Sequence, residues 1–178
     1  MPANLCPMKK LYAPWRHDYI NSVARKKDKD DSQEACVFCR QLAENDDEKY
    51  YIVKRFSDCA VMMNYYPYNA GHVMVLPYDH KPNLLDLSSN QRTQIMEVIN
   101  LCTIVIGQVL SPEGFNIGIN LGIAGGGGLP AHLHVHVLPR WRGDTNFLET
   151  IGAVKIVSSD LDKTYQTLRT AFSRVHQP

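Results

Sequence analysis

His132-Leu-His-Val-His-Val-Leu138 alternates polar and apolar residues without a break. Successive side chains of a strand point to opposite faces, so a strand here puts His132, His134 and His136 on one face and Leu133, Val135 and Val137 on the other. The apolar face calls for a core. The imidazole face calls for polar partners, because each ring brings a donor and an acceptor that apolar packing would leave unsatisfied. Same-face neighbours along a strand lie about 6.5–7 Å apart, so one phosphate group can touch adjacent rings.

Three readings of this face are open. It is a polar sheet face without chemistry, or its three rings bind one catalytic metal, or it performs nucleophilic catalysis. In the last case a backbone carbonyl holds one ring nitrogen as N–H and the other nitrogen aims its lone pair at phosphorus. A phosphohistidine type of intermediate results, while neighbouring rings hold the phosphate oxygens and protonate the leaving group. The run Gly125-Gly-Gly-Gly128 favours the third reading. It has no side chains to block close approach, and its backbone can turn N–H groups toward an anion. By itself such a run is equally a flexible linker.

Moving outward, Phe115 to Leu121 alternates Phe, Ile and Ile with Asn and Gly, a strand pattern. Tyr50 to Phe56, Ala60 to Tyr66 and Gly71 to Pro77 are rich in Val, Ile, Met and Tyr and read as further strands. Asn64 to Gly71 between two of them holds Pro, Asn and Gly, the residues of a loop. Ser88 with Gln91 forms a capping-box pattern at the start of the longest helix. Its apolar positions Ile95, Val98, Ile99, Cys102, Val105, Ile106 and Val109 recur at helical spacing, and it must end near Ser111-Pro112. A short helix is expected after Cys39 and a weakly amphipathic one from Asp160 to Val175. Leu11 to Ile20 is aromatic and turns helical with Pro14 near the helix start. Arg25 to Glu34 mixes both charge signs as a solvated loop does. The pattern predicts an α+β fold: an antiparallel sheet joined as a meander, one long covering helix and a C-terminal helix. Residues 1–34 form an N-terminal extension with a charged loop, and residues 35–178 a single domain.

Nineteen Lys and Arg against eighteen Asp and Glu leave a net charge of +1 over 178 residues. So balanced a chain is no general nucleic-acid coat, which needs excess cation on one face. Apolar residues make up 44%, as in a globular domain. No apolar run approaches the ~20 residues of a bilayer span, and Met1 to Lys10 has no secretory h-region, so no membrane contact and a cytoplasmic location are expected. The five Cys then read as reduced thiols or metal ligands. Cys36-Val-Phe-Cys39 has the spacing of half a zinc site. A redox pair would need a strand before it and a helix opening at its first Cys, and unliganded thiols are the third option. A complete metal site needs two more ligands, for which His80 and His132 are the candidates. Cys6, Cys59 and Cys102 have no partners at metal spacing, and His17 and His176 read as surface residues.

The His132 to Leu138 stretch resembles the signature of the histidine triad (HIT) superfamily. Asn64 to Pro77 resembles its earlier strand pair, Asn120-Leu-Gly122 its strand end before the loop, and Trp15-Arg16, Tyr19-Ile20 and Ala124 to Phe147 its diadenosine tetraphosphate phosphorylase/hydrolase branch. The likeness covers roughly residues 11 to 170. It implies that His134 is the nucleophile and forms a nucleotidyl-histidine, that His136 contacts the phosphate, and that His72 is an additional active-site His near the leaving group. It further implies that Asn64 binds ribose and that Asn120 and the backbone at Gly127 and Gly128 face the phosphates. Cys36, Cys39, His80 and His132 resemble the ligands of one closed, structural zinc per chain, which makes residues 35–178 a single domain with an N-terminal zinc knuckle. The implied substrate is an adenine nucleotide, diadenosine tetraphosphate by branch, with an adenosine phosphoramidase or a non-catalytic nucleotide sensor as alternatives. The implied assembly is a homodimer. Trp141 is expected to close the site, to line the dimer surface or simply to pack. Many relatives carry Gln, Ser or Thr four residues before the first triad His, where this chain has Gly128. A side-chain donor to phosphate is thereby missing, which leaves water or phosphate open as the second nucleophile.

Overall fold

The computed structural model describes residues 36–145, 151 and 159–176. The expectations for the N-terminal extension, for Pro14, and for Cys6 and His17 lie outside them. The chain opens with α1 (Val37–Ala43), followed by strands β1 (Ile52–Arg55), β2 (Cys59–Met63) and β3 (Val73–Pro77). A 3-10 turn (Leu84–Asp86) leads into α2 (Ser89–Leu110), and then come β4 (Gly114–Ile119), β5 (Val135–Arg140) and α3 (Leu161–Phe172).

All pairings are antiparallel, in the order β1-β2-β3-β5-β4. The first three strands form the expected meander. The last two depart from it: α2 carries the chain across the sheet to the far edge, where β4 forms, and β5 folds back into the gap beside β3. His136 therefore sits in the sheet interior, opposite Met74 on one side and Gly118 on the other.

The period of two sorts the sheet into faces. Cys59, Val61, Met63, Val73, Val75, Val135 and Val137 pack on one face with the α2 stripe Ile95, Val98, Ile99, Cys102, Val105 and Ile106 and with Tyr165, Leu168 and Phe172 of α3. Burying each such aliphatic side chain contributes about 1.5–3 kcal/mol. Ala60, Met62, Met74 and Leu76 face the other way, onto Phe38 and Leu42 of α1. That second face carries the histidines.

Helix α2 starts as the sequence predicts. The Ser88 hydroxyl accepts from the Gln91 amide at 3.2 Å, and the Gln91 side chain accepts from the Ser88 amide at 2.9 Å. At its far end Ser111 takes the left-handed conformation, φ 49°, and Pro112 follows. The expectation that no apolar segment approaches membrane length needs correction, because α2 is by length and composition alone long and apolar enough to cross a bilayer. One apolar stripe of it is buried against the sheet, while Met96 and Ile104 on the outer side remain exposed.

Two further expectations shift. The last strand begins at Val135, so His132 and His134 precede it outside the ladder, where the Leu133 amide donates to Lys81 O at 2.7 Å. The short helix does not follow the cysteine pair but contains it: Cys36 is the N-cap of α1 and Cys39 lies in its first turn.

Candidate active site and metal centre

The ring protons of the triad follow from their partners, since a carbonyl only accepts and an amide N–H only donates. His134 Nδ1 lies 2.8 Å from His132 O, so it carries the proton and leaves Nε2 as a free lone pair. His132 Nε2 lies 2.9 Å from Pro77 O, so it is the N–H, and Nδ1 is the open nitrogen. The Tyr68 amide donates to His72 Nδ1 at 3.2 Å. His72 must then donate from Nε2 to His136 Nδ1, 3.0 Å away. A neutral His136 consequently carries its own proton on Nε2. The second sheet face thus presents a ring with a lone pair, His134, beside a ring with an N–H, His136, at 5.0 Å between centroids and nearly perpendicular.

Burial keeps these rings neutral. It pushes His72 down to about 3, helped by the neighbouring His136 and His134, and His136 down to about 4, helped by His134. His134 is also lowered by burial, against the opposing hydrogen bond to His132 O. A neutral imidazole is the form that can act as a nucleophile. His72 is fully buried behind His136 with both ring nitrogens engaged. It is not among the residues that line the cleft and meets it only through the His136 ring.

The rings open into a cleft of about 1190 Å³. Phe38, Met62, Met74 and Leu129 form an apolar wall, with the Phe38 ring 5.3 Å from that of His134. Tyr51, Tyr65, Tyr66 and Tyr68 form the rim, and Asn64, Asn120, Gly126 and Gly128 complete the lining. Asn64 holds the rim loop: its side-chain oxygen accepts from the Tyr66 amide at 2.9 Å. Gly127 is buried in the loop with its N–H turned to Gly122 O at 3.4 Å, so Gly126 and Gly128 are the glycines of the run that line the cleft. Gly125 is needed for a different reason, since a Cβ there would collide with Leu121 O.

On the other side of His132 four donors converge. Its Nδ1 lies 3.5 Å from Cys36 Sγ and 3.3 Å from Cys39 Sγ, and His80 Nδ1 lies 3.3 Å from Cys39 Sγ. All four ligand atoms fall within 4.8 Å of one another. Zinc bonds of about 2.3 Å to sulfur and about 2.0 Å to nitrogen give tetrahedral edges of about 3.5 Å, which these spacings match. Two soft thiols and two imidazoles fit Zn²⁺, and a closed set of four protein ligands is structural in kind. The helix that opens at Cys36 meets one requirement of a redox pair, but the two imidazoles among the sulfurs make this a metal centre.

Sequence reasoning missed one supporting cluster. Arg140 grips Asp144 at 2.6 and 2.8 Å, and Asp144 also accepts from Asn69 Nδ2 at 2.7 Å and from the Trp141 amide at 3.2 Å. This clamp ties the rim loop to the end of β5. No spacing signal joins residues 75 apart. Trp141 is outside the cleft lining, and its indole N–H donates to Ser111 O at 3.2 Å.

The HIT domain model matches residues 45–143. The chain belongs to the HIT family. An AP-4-A phosphorylase from Mycobacterium tuberculosis is 36% identical over 167 residues, 94% of this chain and 86% of the relative. A bis(5'-nucleosyl)-tetraphosphatase (asymmetrical) from Schizosaccharomyces pombe is 34% identical over 113 residues, 64% of this chain and 58% of its own length. Among solved structures, a Zn-bound histidine triad family protein from Mycobacterium smegmatis shares the fold. Its TM-score is 0.66 at 24% identity, over 80% of this chain and 96% of that one. The five-stranded antiparallel sheet with its covering helix is thus the HIT fold.

Proposed function

We propose that this HIT protein is a nucleotidyl-transferring enzyme that cleaves dinucleoside tetraphosphates, diadenosine tetraphosphate above all. One observation carries the reading: the hydrogen bond from His134 Nδ1 to His132 O, which leaves an Nε2 lone pair facing an apolar cleft. The 36% identity to an AP-4-A phosphorylase over 94% of the chain supports the substrate class.

In the proposed reaction His134 Nε2 attacks the α-phosphorus of one adenosine. The P–O bond to the rest of the chain breaks, and ATP leaves with its electron pair. The His136 Nε2–H, held outward by His72, donates to a phosphate oxygen as charge develops. Water or inorganic phosphate then attacks the nucleotidyl-histidine and releases AMP or ADP, with His134 restored. Asn64 and Asn120 line the cleft where ribose and phosphates would lie. Zinc at Cys36, Cys39, His80 and His132 would brace the backbone that carries His134, two residues from a ligand. A homodimer fits the exposed Met96 and Ile104 on the outer side of α2.

The test is product analysis with diadenosine tetraphosphate, with and without inorganic phosphate. ADP formed only with phosphate means phosphorolysis, and AMP with ATP means hydrolysis. Faster turnover of an adenosine phosphoramidate than of the tetraphosphate would replace this reading with a phosphoramidase.

A further inference from the structure

Three large aromatics on one short loop are strongly solvent-exposed: Tyr65 at 62%, Tyr66 at 78% and Tyr68 at 52%. Rings of this size usually bury most of their surface, and an exposed cluster marks a binding surface. These three line the cleft of the histidines. Tyr68 already has a role, since its ring lies against His72 and His136 at 4.8 and 5.8 Å. Tyr65 and Tyr66 have no contact with the triad.

They are, however, braced. Tyr66 meets Tyr65 edge-on at 5.2 Å, Tyr65 meets Tyr51 at 6.1 Å, and Tyr51 meets the buried Tyr165 of α3 at 5.3 Å. Tyr51 is held in the left-handed region, φ 54°, and its hydroxyl donates to Asp162 at 2.6 Å. A non-glycine residue in that region costs energy and persists where its surroundings impose it. The row of rings thus runs from the core to the rim, and its outermost member is a largely exposed ring on firm support.

The cleft also exceeds the ~300–1000 Å³ of ordinary small-molecule pockets. Its inner wall, with Phe38 against His134, suits the nucleoside that becomes attached to the enzyme. Among the described residues one cationic side chain lines it, Lys49, which is already paired with Glu44 at 3.0 Å. Those described residues offer a polyphosphate linker little charge, and the exposed rings offer a long substrate another source of affinity.

We propose that Tyr65 and Tyr66 form a stacking platform for the second nucleobase, the one that departs, and so select dinucleoside polyphosphates over mononucleotides. This rests on the cleavage reaction above. Stacking on an aromatic side chain tolerates any base, because every base has a π-face. The second base should thus be read loosely.

The experiment compares diadenosine tetraphosphate with adenosine 5'-tetraphosphate, which has the same phosphates and no second nucleoside. Tyr65→Ala and Tyr66→Ala should raise KM for the dinucleotide about ten- to a hundredfold and leave kcat. They should leave kcat/KM for the mononucleotide within about twofold, and Tyr66→Phe should restore the dinucleotide value. Equal losses on both substrates would assign the rings to the first nucleoside, and no loss on either would leave them without a role; both outcomes overturn the platform. Calorimetric titration of both nucleotides into the same variants carrying His134→Ala reads binding without turnover. A wild-type enzyme that cleaves neither compound defeats the proposed reaction alone, and the titration still decides the platform by whether the tyrosine variants weaken only the dinucleotide.

Discussion

At the level of single residues, three backbone contacts decide which histidine does what. His134 and His132 each donate to a carbonyl, from opposite ring nitrogens, and the Tyr68 amide sets the proton on His72 and through it on His136. Nitrogen-15 spectra should therefore show His134 protonated at Nδ1 and His136 at Nε2; the reverse tautomer at His134 would remove its lone pair from the cleft and the mechanism with it. Removing the proposed nucleophile, His134→Ala, should lower kcat by at least about a thousandfold. The neutral rings also make stability depend on pH. Their folded values, about 3 for His72 and about 4 for His136, lie below the ordinary 6.5. Between these values the unfolded chain binds more protons than the folded one, so stability is complete above about pH 6.5 and falls on acidification. The loss is about 2 kcal/mol per ring at about pH 5. Urea midpoints at the two pH values should show it, and His72→Gln should show a smaller drop; an unchanged drop would clear His72 of the effect.

At the level of elements, periodicity carries over well where contacts are local. The α2 cap at Ser88 and Gln91 and its buried stripe follow from spacing along a few residues. The chain ends of strands do not. The last strand starts at Val135 because Leu133 bonds to Lys81 and not to the ladder, a partner more than fifty positions away. The loop clamp is of the same kind. Asp144→Ala should destabilise the protein by about 2–3 kcal/mol, because Asp144 is nearly buried and accepts from an arginine, an amide side chain and a backbone N–H. A denaturation midpoint equal to that of the wild type would show the clamp to be dispensable.

At the level of the whole molecule, the metal centre joins α1 to the entry of β5 across some ninety residues. Purified protein should hold about one zinc per chain, and a strong chelator or Cys39→Ser should lower Tm by roughly 10 °C; a metal-free wild type of undiminished Tm would sink the assignment. The strict alternation of His and aliphatic residues was enough to announce a strand with a polar face, because side-chain direction along a strand depends on the local backbone alone, but not where that strand begins. The cysteine spacing likewise announced half a ligand set. Strand order, the place of each ring proton, the loop clamp and the tyrosine row were decided only in three dimensions. A hydrogen bond is fixed by which groups meet, and here Pro77 meets His132, His72 meets His136 and Asn69 meets Asp144 across 55 to 75 positions that no local pattern spans.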